Sequence, residues 1–477
     1  MKSKPYIHLF RCSTGYYLYD VNTDCILKVS EETFQILERR KGENDQIRKL
    51  ISAGYLKENH VEISEHPMTP YLESFYKKHL SAISLQVTQS CNLRCDYCVY
   101  SGKYSNRTHS NKKMSFEMAK KGIDYLLEHS AESPTISVGF YGGEPLLEFP
   151  LIQRCVEYVE KNDIERDKKF LITTNATLLT PTVIDFLVSH NFNITISFDG
   201  PKEIHDKYRR FAGNNRGSYD VVMENVKYIK KKYNAFFKDN VQFNTVLSPT
   251  ESYQCIGEFL QGDEVLKDSI FISSIVSDIG VKDKSTTEVT ELFAEEYNYE
   301  YFKVLMAKLG KIQEKNVSII ARGLFQTLGM MRGGKQRISN SELPRKWHHS
   351  GPCIPGKRTI FINADGNFYP CEKVCEKADL AIMGNVDEGI NISKAKKILN
   401  IEKYTGTECR SCWAYRHCSF CIRYAEPDEN KLRENVLNRC AGMRKSVENT
   451  FKDYCIMREL GYDFECDCIK RKGEKDV

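Results

Sequence analysis

Apolar and polar residues follow two different periods along the middle of this chain. Between residues 80 and 280, short apolar runs typical of buried strands are separated by longer segments with the period of an amphipathic helix. The apolar runs are AISLQVT, ISVGFYGGE, FLITTNAT, ITISFDG, VQFNTVLSP and IFISSIVSD. Strands that are apolar on both faces and alternate with helices predict an α/β fold, either a partial (β/α)6 barrel of the TIM type or an open doubly wound parallel sheet.

The pattern on either side of this region is different. YIHLF, GYYLYD and DCILKVS predict three short strands, and SEETFQILERR and DQIRKLISAGYL predict two helices, the first capped by Ser30. Strands followed by helices at this size predict a small, separate winged-helix-like module. After the sheet region, polar helical segments continue to a glycine-containing break at MMRGGKQR, and Asp365-Gly366 is a hairpin signal. The predicted domains are 1–78 (winged-helix-like), 79–280 (partial barrel), 281–345 (helical bridge) and 346–477 (cysteine-rich).

Composition narrows the classes of function. The 477 residues are 41% hydrophobic, which is enough for two to four domains. A net charge of +5 on 69 basic and 64 acidic residues is too mild for a strongly basic nucleic-acid binder. We find no signal peptide and no apolar stretch of about 18 residues, so we expect a cytoplasmic protein without a membrane partner. In that reducing compartment the 18 cysteines point to metal binding rather than to disulfides.

The first cysteine cluster directly follows the first predicted barrel strand. Cys91, Cys95 and Cys98 have the spacing C-x3-C-x2-C. Loops after parallel strands line the carboxyl-end mouth of a barrel, where the active sites of barrel enzymes lie. Three thiolates in a compact loop can hold three irons of a 4Fe-4S cubane and leave the fourth iron open. A three-cysteine zinc site completed by a distant ligand is the alternative.

This spacing, with the aromatic Tyr97 before the last cysteine, resembles the signature of radical S-adenosylmethionine (SAM) enzymes. The resemblance implies that the amino and carboxylate groups of SAM fill the open iron. It further implies that an electron from the cluster, supplied by a flavodoxin- or ferredoxin-type donor, cleaves SAM to a 5'-deoxyadenosyl radical that takes hydrogen from the substrate.

Polar residues at the ends of the next predicted strands agree with this resemblance in order and place. Glu144 in YGGEP could accept a hydrogen bond from the SAM ammonium, and the adjacent glycines could approach a ligand closely because they have no Cβ. Arg209, rather than the neighbouring Arg210, is expected to bind the SAM carboxylate. Ordinary turns and polar strand ends are the alternative. The expected SAM contacts are Tyr97, Gly142, Gly143, Glu144, Thr174, Asn175, Ser197, Asp199 and Arg209.

The C-terminal cysteines form a second constellation, C-x12-G-x4-C, then C-x2-C-x5-C-x2-C, then a last cysteine. This order is similar to the SPASM extension of radical SAM enzymes that modify peptides and proteins, although the last x2 departs from the commoner x3. Rubredoxin-like or zinc-ribbon sites are the alternative. The resemblance implies two auxiliary 4Fe-4S clusters, one held by Cys409, Cys412, Cys418 and Cys440 and the other by Cys353, Cys371 and Cys421.

The second of these sets is one ligand short. Sulfatase-maturing relatives have an extra cysteine just before the first of the set, where this chain reads RKWHHSGPC. One iron of this cluster is therefore expected to be open, as in thioether-forming peptide maturases, unless His348, His349 or Cys375 supplies the fourth ligand. The resemblance to sulfatase maturases, which have an acidic residue at this position, implies that Glu372, next to Cys371, is the catalytic base; a plain surface carboxylate is the alternative.

The combined resemblance is to radical SAM/SPASM thioether-forming maturases of the ranthipeptide and sactipeptide type. In these the N-terminal module binds the leader of a ribosomally made precursor peptide by adding a strand to a sheet edge. An oligomerisation or lid domain is the alternative for this module. We expect thioether crosslinking of a cysteine-rich precursor peptide, with sulfatase maturation to formylglycine or a non-catalytic iron–sulfur carrier as the other candidates.

Overall fold

The computed structural model describes residues 4–329, 342–464 and 468–469. It contains an N-terminal sheet, a central parallel sheet with its helices, and a cysteine-rich C-terminal region. The predicted break at MMRGGKQR (330–337) lies outside the described residues. Within the described ranges, no helix is both long enough and apolar enough to cross a membrane.

The N-terminal region is a three-stranded antiparallel sheet with two helices on one face, as its apolar pattern predicts. The Ser30 hydroxyl caps the first helix by accepting a hydrogen bond from the backbone N–H of Thr33 (3.1 Å). Leu18, Phe34 and Ile47 are buried together in a small core of this region. The elements are β1 (Ile7–Cys12), β2 (Gly15–Asp20), β3 (Cys25–Val29), α1 (Glu31–Arg39), α2 (Asp45–Ser52), β4 (Ile63–Ser64) and α3 (Leu72–Lys78).

The other face of this sheet packs against the C-terminal region. The rings of Tyr19 and Phe451 lie 4.6 Å apart. Arg416 donates hydrogen bonds to the carbonyl oxygens of Val21 (2.8 Å) and Asn22 (2.6 Å). Because both faces of the sheet are covered, its second face is part of the main core of the protein.

Six parallel strands form the central sheet, and each confirms one of the predicted apolar runs. The strands are β5 (Ala82–Thr88), β6 (Thr135–Gly142), β7 (Asp167–Thr174), β8 (Asn193–Ser197), β9 (Val241–Leu247) and β10 (Ile270–Ile275). Strands that are consecutive in the sequence are neighbours in the sheet, in one direction from β5 to β10. A doubly wound sheet reverses its strand order partway, so the structure excludes that alternative and has the order of a partial barrel.

Helices between and after these strands cover the sheet. Those of the barrel are α4 (Phe116–Glu128), α5 (Phe149–Asn162), α6 (Pro181–Ser189), α7 (Lys202–Tyr208), α8 (Tyr219–Lys232), α9 (Asn234–Asn240) and α10 (Tyr253–Gly262). The described part of the predicted helical bridge contains α11 (Glu291–Lys308) and α12 (Gln326–Gly329).

The predicted C-terminal hairpin extends the central sheet. The elements after residue 342 are β11 (Lys346–Trp347), β12 (Ile360–Ile362), β13 (Asn367–Tyr369), β14 (Gly384–Asn385), β15 (Gly389–Ile390), α13 (Ile392–Leu399), α14 (Thr407–Arg410), α15 (Leu432–Leu437), α16 (Cys440–Glu459), β16 (Tyr462–Asp463) and β17 (Cys468–Ile469). Strand β12 pairs in parallel with β5, and β13 returns antiparallel to β12. Gly366 in the turn has a φ of +83°, which glycine adopts readily. The segment that begins at Cys371 is thereby attached to the first barrel strand.

Candidate active site

The loop after β5 holds three cysteines in a compact turn. The backbone N–H groups of Leu93 and Tyr100 donate to the sulfurs of Cys91 (3.4 Å) and Cys98 (3.5 Å). The N–H of Cys98 also bonds to the carbonyl of Cys95 (3.1 Å), which closes the loop. These amide donors stabilise thiolate charge on two of the three sulfurs.

Sulfur spacing distinguishes between the two kinds of metal site considered for these cysteines. In the described part of the chain, no three cysteine sulfurs lie within 4.8 Å of one another. Three thiolates on one zinc ion, each with a Zn–S distance of about 2.3 Å, would lie about 3.8 Å apart. In the described structure the three sulfurs are therefore not gathered as they would be around a single zinc ion.

The thiols of this loop are protonated until a metal group displaces their protons. Burial, with Glu144 and Cys98 nearby, raises the pKa of the Cys91 thiol to about 12. Burial also raises the pKa of Cys95 and of Cys98 above the usual value. Assembly of a cluster on this loop should therefore release protons.

Gly142 and Gly143 hold the end of β6 against the cysteine loop. A Cβ on Gly142 would lie 2.1 Å from the carbonyl oxygen of Thr88, and one on Gly143 would lie 2.1 Å from that of Ser90. The N–H of Gly143 bonds to Thr88 (2.9 Å), and the N–H of Glu144 bonds to Ser90 (2.9 Å). The close approach that these glycines permit is to the loop backbone, whereas the sequence predicted an approach to a ligand.

Glu144 is buried at the carboxyl ends of β6 and β7. Its Oε1 accepts hydrogen bonds from Thr174 Oγ1 (2.7 Å) and from the Leu146 N–H (3.1 Å), and its Oε2 accepts from the Asn175 N–H (2.7 Å). Burial outweighs these bonds and raises the pKa of Glu144 to about 7. The side-chain nitrogen of Asn175 lies 3.8 Å from the sulfur of Cys91, so Glu144, Asn175 and the cysteine loop share one site.

Asp199, just beyond the half-buried Ser197 that ends β8, is fully engaged within the same site. Its Oδ2 accepts hydrogen bonds from Arg209 Nε (2.8 Å) and from the Tyr97 hydroxyl. The Arg209 guanidinium also lies over the Tyr97 ring, 5.6 Å from its centroid, and its charge lowers the pKa of Cys95 against the larger effect of burial. Arg210 is exposed, and its Nε donates to the backbone carbonyl of Asp206 (2.9 Å). The backbone of Arg210 touches the cysteine loop, since its carbonyl accepts from the Arg94 N–H (2.8 Å), but it is the Arg209 side chain that bonds within the buried group of Tyr97 and Asp199.

The C-terminal cysteines fall into two groups. Burial raises the pKa of Cys371 and of Cys421, with smaller contributions from Cys421 on Cys371 and from Cys353 on Cys421. In the second group, burial raises the pKa of Cys409 and Cys418 to about 12, with smaller contributions from their cysteine neighbours. The members of the second group are Cys409, Cys412, Cys418 and Cys440, and they line a cavity of about 250 Å³. The structure brings together the same two sets that the resemblance implied.

The three residues considered as a fourth ligand for the Cys353 group face elsewhere. His348 uses both ring nitrogens, with Nδ1 donating to the His349 carbonyl (2.8 Å) and Nε2 accepting from the Glu402 N–H (3.1 Å). His349 lines the cavity of the other cysteine group. Cys375 is buried, and its thiol is directed at the carbonyl of Asn106 (3.9 Å).

Glu372 lies beside a buried arginine that the sequence did not single out. Arg107 donates from Nη2 to the backbone carbonyls of Glu372 and of Val374 (3.0 Å), and its Nε lies 2.7 Å from Glu376 Oε1. The Glu372 and Arg107 charges both act on the Tyr141 hydroxyl, whose pKa burial raises to about 12. Arg107 and Glu376 resemble surface residues in the sequence. Only the position of Tyr141, beside Gly142, could have indicated that these buried charges lie near the site.

These residues fit SAM and iron–sulfur groups by their chemistry. Buried thiols with amide donors suit iron–sulfur clusters. A buried carboxylate and a buried guanidinium at the same strand ends suit the amino and carboxylate groups of SAM. The described structure thus places the expected SAM contacts together at the mouth of the partial barrel.

Comparison with known proteins agrees with this arrangement. Residues 85–261 match the model of the Radical SAM superfamily. An uncharacterised protein of Methanocaldococcus jannaschii, MJ0907, is 38% identical over 160 residues, which are 34% of this chain and 51% of that protein. The chain thus spans about half the length of that relative. A cysteine-type anaerobic sulfatase-maturating enzyme of Clostridium novyi is 25% identical over 407 residues, which are 81% of this chain and 99% of that enzyme.

A solved structure shares the overall fold. Native anSMEcpe with bound AdoMet matches with a TM-score of 0.55 at 20% sequence identity, over 81% of this chain and 96% of that chain. The same protein with bound AdoMet and the Cp18Cys peptide matches with a TM-score of 0.54. Residues 85–261 of this chain are therefore similar in sequence to the radical SAM superfamily, and the α/β fold around them is similar to that of anSMEcpe.

Proposed function

We propose that this protein is a radical SAM/SPASM maturase that installs thioether crosslinks in a ribosomally made, cysteine-rich precursor peptide. The observation that carries the proposal is the group of Cys353, Cys371 and Cys421. Cys421 interacts electrostatically with both Cys371 and Cys353, and Cys353 is exposed. Among the residues whose side chains are described, none of the expected candidates completes the set. An accessible three-cysteine site leaves room for a cysteine thiolate of the peptide.

The chemistry requires two cofactors. When bound, SAM on the first cluster supplies a 5'-deoxyadenosyl radical that takes one hydrogen atom from a peptide carbon, and an auxiliary cluster supplies the acceptor for the electron left over when the carbon–sulfur bond forms. The chain's own residues position SAM through Glu144, Asn175 and Arg209. The peptide loses one hydrogen from carbon and one proton from sulfur for each bond formed.

Glu372 is the proposed base that removes the thiol proton or a proton of the modified residue. It follows the ligand Cys371 directly, and Arg107 holds its backbone carbonyl against the barrel. From this position between a cysteine of the open set and the barrel mouth, the Glu372 carboxylate would reach a peptide that spans both. Arg107 would act as a positioning residue because it orients Glu372 through the main chain.

The N-terminal sheet is the proposed leader site. Strand β1 packs against α16, where His8 Nε2 lies 2.9 Å from Glu448 Oε2. Strand β3 forms the other edge of the sheet and pairs with β2 alone among the described strands. A leader peptide could add to β3 through main-chain hydrogen bonds. Because Arg416 and His417 tie this sheet to the cysteine-rich region, a bound leader would deliver its core peptide near the auxiliary site.

Formylglycine formation in a sulfatase is the second candidate. Its support is the similarity over 99% of the length of the Clostridium novyi enzyme. The same Glu372 would then serve as the base.

The test incubates the anaerobically reconstituted full-length protein with SAM, reductant and a cysteine-rich peptide encoded beside its gene. We expect a loss of two hydrogens per crosslink, 5'-deoxyadenosine, and a cysteine that no longer reacts with alkylating reagents although no disulfide is present. Cys353→Ala should abolish crosslinking, whereas Cys255→Ala, at an exposed cysteine far in sequence from either set, should not. Conversion of a sulfatase-derived peptide to formylglycine, with the cysteine-rich peptide unchanged, would overturn the thioether proposal.

A further inference from the structure

His349 has one ring nitrogen that the described protein leaves without a partner. The residue is 1% exposed. Its Nδ1 accepts a hydrogen bond from the Gly351 N–H (3.2 Å). A nitrogen that accepts from an amide carries no proton, so in the neutral ring the proton is on Nε2. This Nε2 is buried and makes no hydrogen bond in the described structure.

The ring is held in place from several directions. The His349 N–H donates to Glu402 Oε2 (2.9 Å), and its carbonyl accepts from His348 Nδ1 (2.8 Å). The Phe420 ring lies 5.8 Å away on another side. Glu402 is itself fixed by Ser64 Oγ (2.6 Å) and the Tyr415 hydroxyl (3.0 Å). The backbone of His349 is therefore fixed, and the imidazole cannot turn to find another acceptor without losing its own bond from the Gly351 N–H.

The cavity next to the ring is the one lined by four cysteines. His349 forms part of its wall together with Cys409, Cys412, Cys418 and Cys440. A buried N–H without an acceptor is destabilising, and native proteins rarely leave such a donor unpaired. The sulfur atoms of a cluster in this cavity are the acceptors that the donor lacks.

We propose that His349 donates a hydrogen bond from Nε2 to a sulfur of the iron–sulfur cluster held by Cys409, Cys412, Cys418 and Cys440. This inference rests on the proposed function, which places an auxiliary cluster in this cavity. Reduction adds negative charge to a cluster, and a hydrogen bond to sulfur stabilises that charge. His349 is thus a residue that raises the reduction potential of this cluster and makes it a better electron acceptor. It is not a ligand of the Cys353 group.

The nearby His348, His349 and Glu402 do not form a metal site of their own. Their potential ligand atoms lie within 4.8 Å of one another. However, both His348 nitrogens are engaged, and the Glu402 carboxylate already accepts three hydrogen bonds. A cation here would have to displace the bonds that hold the ring. The cluster is therefore placed in the cavity lined by the four cysteines, and the hydrogen bonds of His348 and Glu402 support the part of its wall that His349 forms.

The first test is a potentiometric titration of the cluster-loaded, full-length protein, followed by electron paramagnetic resonance. His349→Leu removes the hydrogen-bond donor, whereas His349→Gln keeps an N–H group on a side chain of different length. We expect a more negative potential for one cluster in the Leu variant, a partial return in the Gln variant, and unchanged iron content in both. An unchanged potential in the Leu variant would overturn the proposal, and loss of about four irons would show a ligand instead of a donor.

A second measurement does not depend on how the Leu variant folds. Wild-type protein with ¹⁵N-labelled histidine is reduced and examined by pulsed electron paramagnetic resonance. We expect a weak nitrogen coupling to one cluster, absent in His349→Gln and retained in His79→Gln, at an exposed histidine. Absence of the coupling in the wild type, or a strong coupling typical of direct ligation, would contradict the proposal.

The cluster itself is tested separately. The double variant Cys409→Ala/Cys412→Ala should hold about four fewer irons per chain than the wild type. Equal iron content would refute the auxiliary cluster in this cavity, and with it that part of the proposed function. A lost cluster in the double variant combined with an unchanged potential in His349→Leu would refute the donor role alone.

Discussion

Arg107 Nε lies 2.7 Å from Glu376 Oε1, and the two side chains are only 3% and 8% exposed. Arg107 belongs to the long connection that carries the first cysteine loop, and Glu376 belongs to the segment after Cys371. The same arginine donates to the backbone of Glu372 and Val374, and Gln86 on β5 donates to Glu376 Oε1 (2.7 Å). This pair therefore joins the radical SAM region to the segment that carries the candidate base.

Breaking the buried pair should strongly destabilise the protein. Glu376→Gln leaves the Arg107 charge buried without a counter-charge, and we expect a loss of about 3–5 kcal/mol of stability. The measurement is the thermal unfolding midpoint of the anaerobic protein, followed by circular dichroism. Glu73→Gln is the matched control, because Glu73 and Lys77 form a pair of similar length (2.8 Å) that is 62% and 66% exposed. The control should change stability far less, because water screens an exposed pair. Equal midpoints for the two variants would refute this account of the pair.

A methyl group on Gly143 should prevent cluster assembly on the first loop. Its Cβ would lie 2.1 Å from the Ser90 oxygen and 3.1 Å from the Cys91 Cβ, so the loop must move. We expect Gly143→Ala to bind about four fewer irons per chain than the wild type. Gly213→Ala is the control, because a Cβ there has open space within 4 Å. Normal iron content in the Gly143 variant would show that the loop can shift without losing its metal.

The strands and the cysteine groups could be predicted from the sequence because both depend on local patterns. Each barrel strand is a short apolar run, and each cysteine group has recognisable spacing. The pairing of β12 with β5 could not be predicted, since it joins Phe361 to Ser84, and the whole sequence of the barrel lies between these two residues. Arg107 and Glu376 look like ordinary surface charges until that pairing buries them together.

The covered face of the N-terminal sheet was missed for a similar reason. Its alternating residues suggest one face in solvent, but Phe451 and Arg416 from the far end of the chain cover it. The donor on His349 also depends on folding, because only its bond with Gly351 fixes which nitrogen carries the proton. Sequence patterns show which residues are apolar or clustered. They do not show which polar groups from distant parts of the sequence lie next to each other in the fold.

Adjacent arginines provide a matched test of the SAM carboxylate site. Arg209 is buried with Asp199 and Tyr97, whereas Arg210 is exposed. We expect Arg209→Met to weaken SAM binding by about 1.5–3 kcal/mol, or roughly ten- to a hundredfold in Kd, because a charge-assisted hydrogen bond is lost. Arg210→Met should leave Kd unchanged. Equilibrium dialysis of the reconstituted protein measures both, and equal effects of the two changes would refute the assignment.

SAM binding should strengthen as the pH rises through about 7. The pKa of Glu144 is raised to about 7 by burial, so its carboxylate is the form that the folded protein disfavours at low pH. With that pKa the ionised fraction rises from roughly one tenth at pH 6 to roughly nine tenths at pH 8. If the carboxylate accepts the SAM ammonium, the affinity for SAM should increase about ninefold over the same range. The measurement is the Kd for SAM at pH 6, 7 and 8.

Two variants separate this effect from other titrations. Glu144→Gln should bind SAM weakly at every pH and lose the dependence, since an amide does not ionise. Glu117→Gln removes an exposed carboxylate from the first turn of α4, outside the site, and should keep the wild-type dependence. In the protein without SAM, the raised pKa of Glu144 makes the folded state less stable as the pH rises. The loss falls between about pH 4.5 and about pH 7, where the buried carboxylate must ionise. Without SAM, the unfolding midpoint should therefore fall over that range more in the wild type than in Glu144→Gln, while with SAM the increasing affinity opposes the fall.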